Sequence, residues 1–505
     1  MIYIYLRIDK VIRLRSETLE KNVFLGLDMT NQIETQEEKS TSEELRKLEG
    51  KKLVGYSAGV LGQIIPVTLV NSYIFIYFVY VIGLNALLVS IGTALAAVAN
   101  ALGAPIFGYL IDKKKPGKYG KRRPFLVLCL PFVSISLILL WYSPLAEAFA
   151  AMNWGIAIYL WVLLIVFFSS YALLRSTYMS MQPEQSQVEE NRIKIGSMIG
   201  IFSLIGTVLG IFLPLILQSQ LKNPDNIFNT PADRQFLLNA LPFLGWIFAI
   251  FSIIFTLGAV FSTNEDFFHD IPQSEATQAQ VTIKDVILNI GRPFKDRNFR
   301  FFLLSILLSS IGIRLLLKDL TLFLTFTLFL KESGFITFIL PLVLFAVLGF
   351  VIWSKRAQNK GIKSAYVQAT WCVVIALFLT SFLLFEVSQP LMLWLARIFL
   401  ALLLFGLVVG FILPTPAISE LVDDAPEGML AEMKADSLSG SYFGTYFFIL
   451  NVGFALGDLI LGIILFGPRA EDRFAVSIIL PLTGVLYLIA NILFRKIKFR
   501  DQSDA

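Results

Sequence analysis

The chain has 505 residues, 56% of them hydrophobic and only 16% charged. A soluble globular chain is about 45–50% apolar and about 25% charged. Here the apolar residues fall in blocks long enough to cross a bilayer, which excludes an ordinary soluble domain. The formal charge of +5 sits in short loops between those blocks, so it reads as topogenic charge and does not suggest nucleic-acid binding.

The two cysteines, Cys129 and Cys372, both fall within apolar runs and read as small buried hydrophobes. The only histidine, His269, lies in a polar stretch, which removes a His-based metal site or a Ser-His relay from the membrane. Residues 1–52 form a mixed-charge extension expected on the cytoplasmic side. Its MIYIYL start is too short for a signal-peptide core, and Met29 is an alternative start.

Six apolar runs follow, at about 53–81, 86–111, 125–142, 154–178, 195–217 and 241–261. The longest internal polar segment comes next and closes in an amphipathic stretch, IKDVILNIGRPFKDRNFR. Six more runs lie at about 301–330, 335–353, 365–385, 391–414, 442–466 and 474–494, before the final RKIKFRD. The expected division is a six-helix bundle over 53–262, a midpoint loop over 263–298, a second bundle over 299–494 and a tail over 495–505. Loops rich in Lys and Arg (DKKKPGKYGKRRP, SKRAQNKGIK, RKIKFR) alternate with loops nearly free of them (GLN, SPLAEAFAAMN, LKESG, EVSQP). GPRAEDR departs slightly from this alternation. That bias places both termini in the cytoplasm of a multi-pass cell-membrane protein. Lipid offers the backbone no partners, so the spans are helices. The fold class is all-α integral membrane, with twelve transmembrane helices in two six-helix bundles, the layout of major-facilitator transporters.

Four stretches carry a closer resemblance: GYLIDKKKPGKYGKRRPFLVL, YMSMQPE, KDRNFRFFLL, and the long run from PAISELVDD to NVGFALGD. Taken in register, they resemble the glycoside–pentoside–hexuronide:cation symporters, the melibiose-permease branch of the major facilitators. The resemblance covers roughly residues 55–494. It implies a sugar or sugar-like solute and a coupling cation. The departures are specific. The family's second span reads Asp-Ala-x-x-Asp-Pro, and its acids help bind the cation; here Asn100 and Ala104 replace both, while Pro105 and Gly108 remain. The sugar-site Asp of the first span falls at about Gln63, the fourth-span Asp at about Arg175 and the eleventh-span Lys at about Asn451. The scaffold resembles the family, but the sodium and sugar constellation does not carry over.

Charges within the hydrocarbon are costly, so each is a functional candidate. In SSIGIRLLLKDLTLF, Arg314 and Lys318 lie one helical turn apart on one face. Asp319 is rotated by about 140° from Arg314, which disfavours an intrahelical pair. One reading is a cationic patch for an anionic substrate group, with Asp319 as a proton or counter-ion site. The other is a salt bridge to a different helix, for example to Glu420 or Asp458. Arg175 reads either as a substrate contact or as a side chain snorkelling to the interface, and Arg397 reads as packing or snorkelling. Gln63, Asn71, Asn100, Tyr171 and Asn451 supply neutral polar lining or helix-joining amides. Tyr73, Tyr77 and Tyr80 read as a packing stripe, and Gly92, Ala96, Ala99 and Gly103 as a close helix contact. Beside the basic loop, Asp112, Arg122 and Arg123 are expected to gate the cytoplasmic side against Glu184, Glu420, Asp423 and Asp424.

These features predict a secondary transporter that moves a sugar-like or acidic organic solute by alternating access. Proton or sodium coupling is an expectation, and no other cofactor is called for. The predicted partners are the solute and membrane lipids, with no nucleic acid, and the predicted state is a monomer. Arg175, Arg314 and Lys318 are the anion contacts, Asn100, Asn451 and Gln63 the polar lining, and Asp319 the coupling site. A lysolipid or other amphiphile carried by the same fold, and a non-transporting receptor, are the alternatives. An intramembrane enzyme is disfavoured because no HExxH or GxSxG motif lies on a span.

Overall fold

The computed structural model describes residues 47–114, 117, 119–186, 188–263, 291–330, 334–385, 388–425 and 435–499. The expected N-terminal extension up to residue 46, His269 and most of the midpoint loop lie outside the described residues, as do the side chains of Asp112 and Glu184.

The first half supplies α1 (Gly50–Ile82), α2 (Ala86–Lys113), α3 (Arg123–Leu139), α4 (Trp154–Met181), α5 (Glu189–Gln218) and α6 (Pro231–Ser262). The second half begins with α7 (Arg297–Thr327). The helical stretch Gly334–Leu379 would be roughly 70 Å long if straight, over twice a hydrocarbon thickness of about 30 Å. It is two spans, α8 (334–360) and α9 (362–379), bent at Gly361, whose φ of 78° is open to glycine. Then come α10 (Gln389–Asp423, with breaks near Val408 and Leu413), α11 (Ala435–Ile464) and α12 (Arg473–Arg495). These are the two six-helix bundles expected.

Several ends differ from the apolar pattern for a common reason. Backbone satisfied within a helix does not stop where the hydrocarbon stops, so polar residues extend α5 back to Glu189 and α10 on to Asp423. The loop expected at SKRAQNKGIK is a helix corner with one non-helical residue. α3 ends early, at Leu139, where the Trp141 carbonyl accepts a hydrogen bond from Tyr77 (2.6 Å). Asn85, Asn153 and Asp472 cap α2, α4 and α12 by accepting from backbone N–H groups of the first turn.

Small residues let the helices touch, as lipid-solvated packing requires. A β-carbon at Gly62 would lie 2.7 Å from Thr256 Oγ1 of α6. The expected Gly92–Gly103 stripe packs α2 on α4, at Trp161 and Ala172. Tyr56 and Tyr178 stack at 4.9 Å and exchange hydrogen bonds with each other's backbone carbonyls. Large apolar side chains such as Leu204, Leu344 and Phe411 remain exposed on the perimeter, the surface a bilayer covers.

The two halves meet on the face opposite the basic loops, here called the far face. α1 and α7 both end there in a π-helical turn, Tyr77–Ile82 and Phe323–Thr327. Tyr80 lies 5.4 Å from the Phe326 ring and donates to the Ala470 carbonyl. Gln218 donates to Thr325 (3.2 Å) and accepts from Tyr73 (2.7 Å). The tyrosine stripe thus packs, and its hydroxyls also tie helices together. Among the described residues, hydrogen bonds joining the halves run from the membrane middle to the far face.

Two tests of this closure follow from its contacts. A β-carbon at Gly462 would lie 2.4 Å from Ser90 Cβ across the halves. Gly462→Val is therefore expected to wedge the far face apart, seen as faster labelling of a cysteine introduced at Phe326 by a membrane-impermeant maleimide. Unchanged labelling would mean the contact is slack. Second, Glu471 adjoins Ala470 and has one buried carboxylate oxygen without a hydrogen-bond partner. Burial, and then Asp225 of the other half, push its carboxyl above the ordinary value. A raised carboxyl pKa means the closed face holds the proton more tightly. The closure is fully favoured below the ordinary glutamate range and weakens as pH rises through the raised value. The same labelling rate should rise with pH in that window and become flat in Glu471→Gln.

Candidate functional site

The centre of the site is one carboxylate between two cations. Arg314 and Lys318, on one face of α7, both reach Asp458 of α11. Arg314 makes a two-pronged contact, Nε to Oδ1 at 2.8 Å and Nη2 to Oδ2 at 3.0 Å, while Lys318 Nζ lies 2.7 Å from Oδ1. Such a fork is the strong geometry for arginine and carboxylate. Asp458 is 0% exposed, Lys318 2% and Arg314 7%. The approach depends on Gly457, where a β-carbon would sit 2.9 Å from Arg314 Cβ. Of the two acidic partners open in the sequence, Asp458 is the one used. Glu420 lies in the last turns of α10, away from this cluster.

The remaining donors cross to the first half. Arg314 Nη1 donates to Asn71 Oδ1 of α1 at 3.0 Å, and Lys318 Nζ to Thr93 Oγ1 of α2 at 3.0 Å. Rings close the sides: Phe454 is 5.7 Å from the guanidinium and Phe75 is 5.7 Å from the ammonium. Two buried positive charges share one negative charge, so the cluster carries a surplus of one.

Asp319 takes no part in this cluster. It is 0% exposed, and neither carboxylate oxygen has a hydrogen-bond partner. Nearer the basic face, Asn100 of α2 donates to Asn451 of α11 at 2.9 Å, and Asn451 donates back to Phe447 O. The two amides read from the sequence as lining are therefore each other's partners across the halves.

Arg175 stands apart from the cluster. Tyr171, Arg175 and Tyr178 share a face of α4, and Tyr178 stacks on α1, so Arg175 faces into its bundle. It is nevertheless exposed, and its Nη1 donates to Tyr171 one turn farther from the basic loops (3.2 Å). Gln63 is buried at 1%, with neither amide atom hydrogen-bonded. At the basic loop, Arg122 donates to the Ser180 carbonyl, and Arg123 to Thr263 through Nε at 3.0 Å and through a second contact to its carbonyl. Among the described residues, Glu420 and Asp423 form no ion pair, so the expected pairing with Arg123 is absent from this conformation. Arg397 packs between Phe338 and Trp394. The sequence reading missed Thr93 altogether. A threonine in an apolar helix carries no mark of a lysine partner 225 residues away. No group of three or more metal-ligating side chains occurs among the described residues.

Among the described residues, twelve membrane helices in two bundles, with charged groups of one half bonded to polar groups of the other at the middle, make the major-facilitator fold. Residues 55–467 match the family described as "MFS/sugar transport protein", and the chain belongs to that family, the glycoside–pentoside–hexuronide:cation symporters. Its members are not enzymes. An uncharacterized symporter of Synechocystis sp. is 23% identical over 36% of this chain and 34% of its own length. The uncharacterized symporter YnaJ of Bacillus subtilis is 25% identical over 35% of this chain and 37% of its own. The alignments thus span about a third of these relatives. In structure, the chain resembles a point mutant of the nucleoside transporter NupG, with a TM-score of 0.63 at 13% identity over 88% of this chain and 100% of that one. That likeness concerns the fold.

Removing one member of a buried ion pair strands the other. Asp458→Asn leaves two buried cations and is expected to cost about 3–5 kcal/mol, read as a large loss of thermal stability in detergent. Adding Lys318→Met should recover part of that loss. If Asp458→Asn alone were neutral, the cluster would not be the charge-balanced unit described.

Proposed function

We propose that this transporter carries a sugar-like solute bearing an acidic group, and that Arg314 and Lys318 bind that group. The observation that carries the reading is the surplus charge of the α7–α11 cluster. Its spare donors are satisfied only by Asn71 and Thr93 of the opposite half. Opening the far face moves α1 and α2 away and turns those donors, with the surplus positive charge, toward the opened cavity, where water is their only other partner. An anion entering from the far side replaces the lost partners. Reclosure then returns Asn71 and Thr93 and weakens the hold on the anion, so release goes to the other face. The two moving bodies are 53–262 and 299–494.

Arg175, Gln63, Asn100 and Asn451 supply further contacts to hydroxyls or to the acid. Gln63 fits this role because its amide is unspent. Asn100 and Asn451 would trade their mutual bond for bonds to the solute. Asp319 is the coupling site in this reading. A bare carboxylate with no partner is costly in a buried position, and a proton removes that cost. Hydration when the far face opens lets the proton exchange, so a proton is the coupling cation. The positive bias of the loops makes the basic face cytoplasmic, with both termini there and the chain in the cell membrane. Closure of that face would bring Arg122 and Arg123, with Asp112, against Glu420 and Asp423.

Uptake into proteoliposomes tests the reading, with hexuronates compared against the parent hexoses under a pH gradient or a sodium gradient. Hexuronate uptake driven by the pH gradient is expected, with Arg314→Ala abolishing it. Asp319→Asn should retain exchange of hexuronate but lose accumulation by the pH gradient. Equal uptake of the neutral hexoses, untouched by Arg314→Ala, would sink the anionic-cargo reading.

A further inference from the structure

A second charged site lies where α7 begins and α12 ends, away from the transport cluster. Lys295 and Arg297 at the start of α7, with Lys496 and Lys498 at the end of α12, line a cavity of about 730 Å³ floored by Asp296 and Phe301. All four cationic residues are exposed, and among the described residues none has an ion-pair partner. The one carboxylate in the cavity offsets a single charge of the four, and both its oxygens are engaged. Asp296 Oδ1 accepts from the Asn298 backbone N–H at 2.8 Å, and Oδ2 accepts from the Tyr442 hydroxyl at 3.0 Å.

The four cations are gathered by the fold and not merely by sequence. Asn298 donates to the Lys498 carbonyl (3.3 Å) and accepts from its N–H (3.5 Å). Lys363 of α9 donates to the Ile497 carbonyl (2.6 Å). Two hydrogen bonds thus hold the end of α12 against the start of α7, and a third ties it to α9. Like charges held together this way repel unless an anion sits among them. The volume exceeds what one small inorganic ion needs and falls within the usual range for organic ligands. One wall is apolar: Lys496 lies 5.7 Å from the Phe301 ring, and Phe294 is exposed nearby.

The geometry points to a site for a phosphate-bearing anion, with the headgroup of an anionic phospholipid in the adjoining leaflet as its source. The cations take the phosphodiester, and the aromatic wall lies where acyl chains begin. That this leaflet is the cytoplasmic one rests on the orientation proposed above, but the binding itself does not. A bound lipid here would clamp α7, which carries Arg314 and Lys318, to α12.

Native mass spectrometry of the full chain in detergent, with added dioleoylphosphatidylglycerol or dioleoylphosphatidylcholine, tests this. One retained phosphatidylglycerol and no retained phosphatidylcholine is expected. Affinity should fall about fivefold for each charge removed in Lys295→Gln, Lys496→Gln and Lys498→Gln. Lys496→Arg with Lys498→Arg should keep binding, and Lys355→Gln with Lys360→Gln, on the α8–α9 corner, should leave it unchanged. A parallel thermal-shift arm uses inorganic phosphate. Stabilisation by phosphate without lipid retention, lost in the same three variants, keeps the site and assigns it a soluble source. Equal retention of both lipids, an equal loss in the corner control, or no response to either phosphatidylglycerol or phosphate overturns the proposal. None of these readouts requires transport, so a failed uptake assay leaves it standing.

Discussion

Asp458 is the residue on which the centre of the molecule depends. Taking Arg314 and Lys318 out of water is affordable only because one carboxylate serves both, at 2.7–3.0 Å. That arrangement fixes α7 against α11 and explains Gly457, since any side chain there would displace Arg314. It also leaves the pair of cations with more donors than one carboxylate can accept. The excess is met from α1 and α2, so the electrostatics of one bundle are completed by the other. A charge-balanced core within one half would bind the halves together no more in one conformation than in another. The unbalanced one makes their separation depend on what replaces Asn71 and Thr93.

The same two helices, α1 and α7, carry the contact at the far face. Each begins as an ordinary helix and ends in a π-helical turn. The wider turn shifts the register of the last side chains, and Tyr80 and Phe326 meet across the halves. Tyr73 reaches Gln218 of α5, which in turn reaches Thr325 of α7. Closure of the far face and satisfaction of the cationic cluster are therefore carried by successive turns of the same helices. A change at either end has a direct mechanical route to the other.

Apolar run length made the spans legible, because lipid permits only one backbone solution. The helix ends were less legible, since Glu189 and Asp423 continue helices that hydropathy alone would stop. Arg314 and Lys318 stood out because charge is rare in a span, and their spacing put them on one face. Their partner was legible only as one of two acids. Asn71 was noticed as an amide but not as a ligand of Arg314. Thr93, and the Gln218–Thr325 bridge, were invisible because neutral polar residues in membrane helices are common and their partners lie in the other half. Nothing in the basic stretches around 295 and 496 indicated that tertiary packing would fold them around one cavity.

The family resemblance and the site differ in the sign of their charge, and that difference bears on cargo. Where the resembling symporters carry acids in the second span, this chain has Asn100 and Ala104, and Asn100 spends its amide on Asn451 across the halves. At the fourth-span position of another acid stands Arg175, solvent-accessible and facing into its bundle. At these positions the chain no longer offers a metal cation negative oxygens, and the exposed Arg175 would repel such a cation. The far-face closure is also held by neutral contacts, the meeting of Tyr80 with Phe326 and the approach of Gly462 to Ser90. The scaffold thus remains that of the symporter family while these positions differ in charge, and the proposed anionic cargo and the proposed proton site at Asp319, a buried carboxylate with no hydrogen-bond partner, build on that difference.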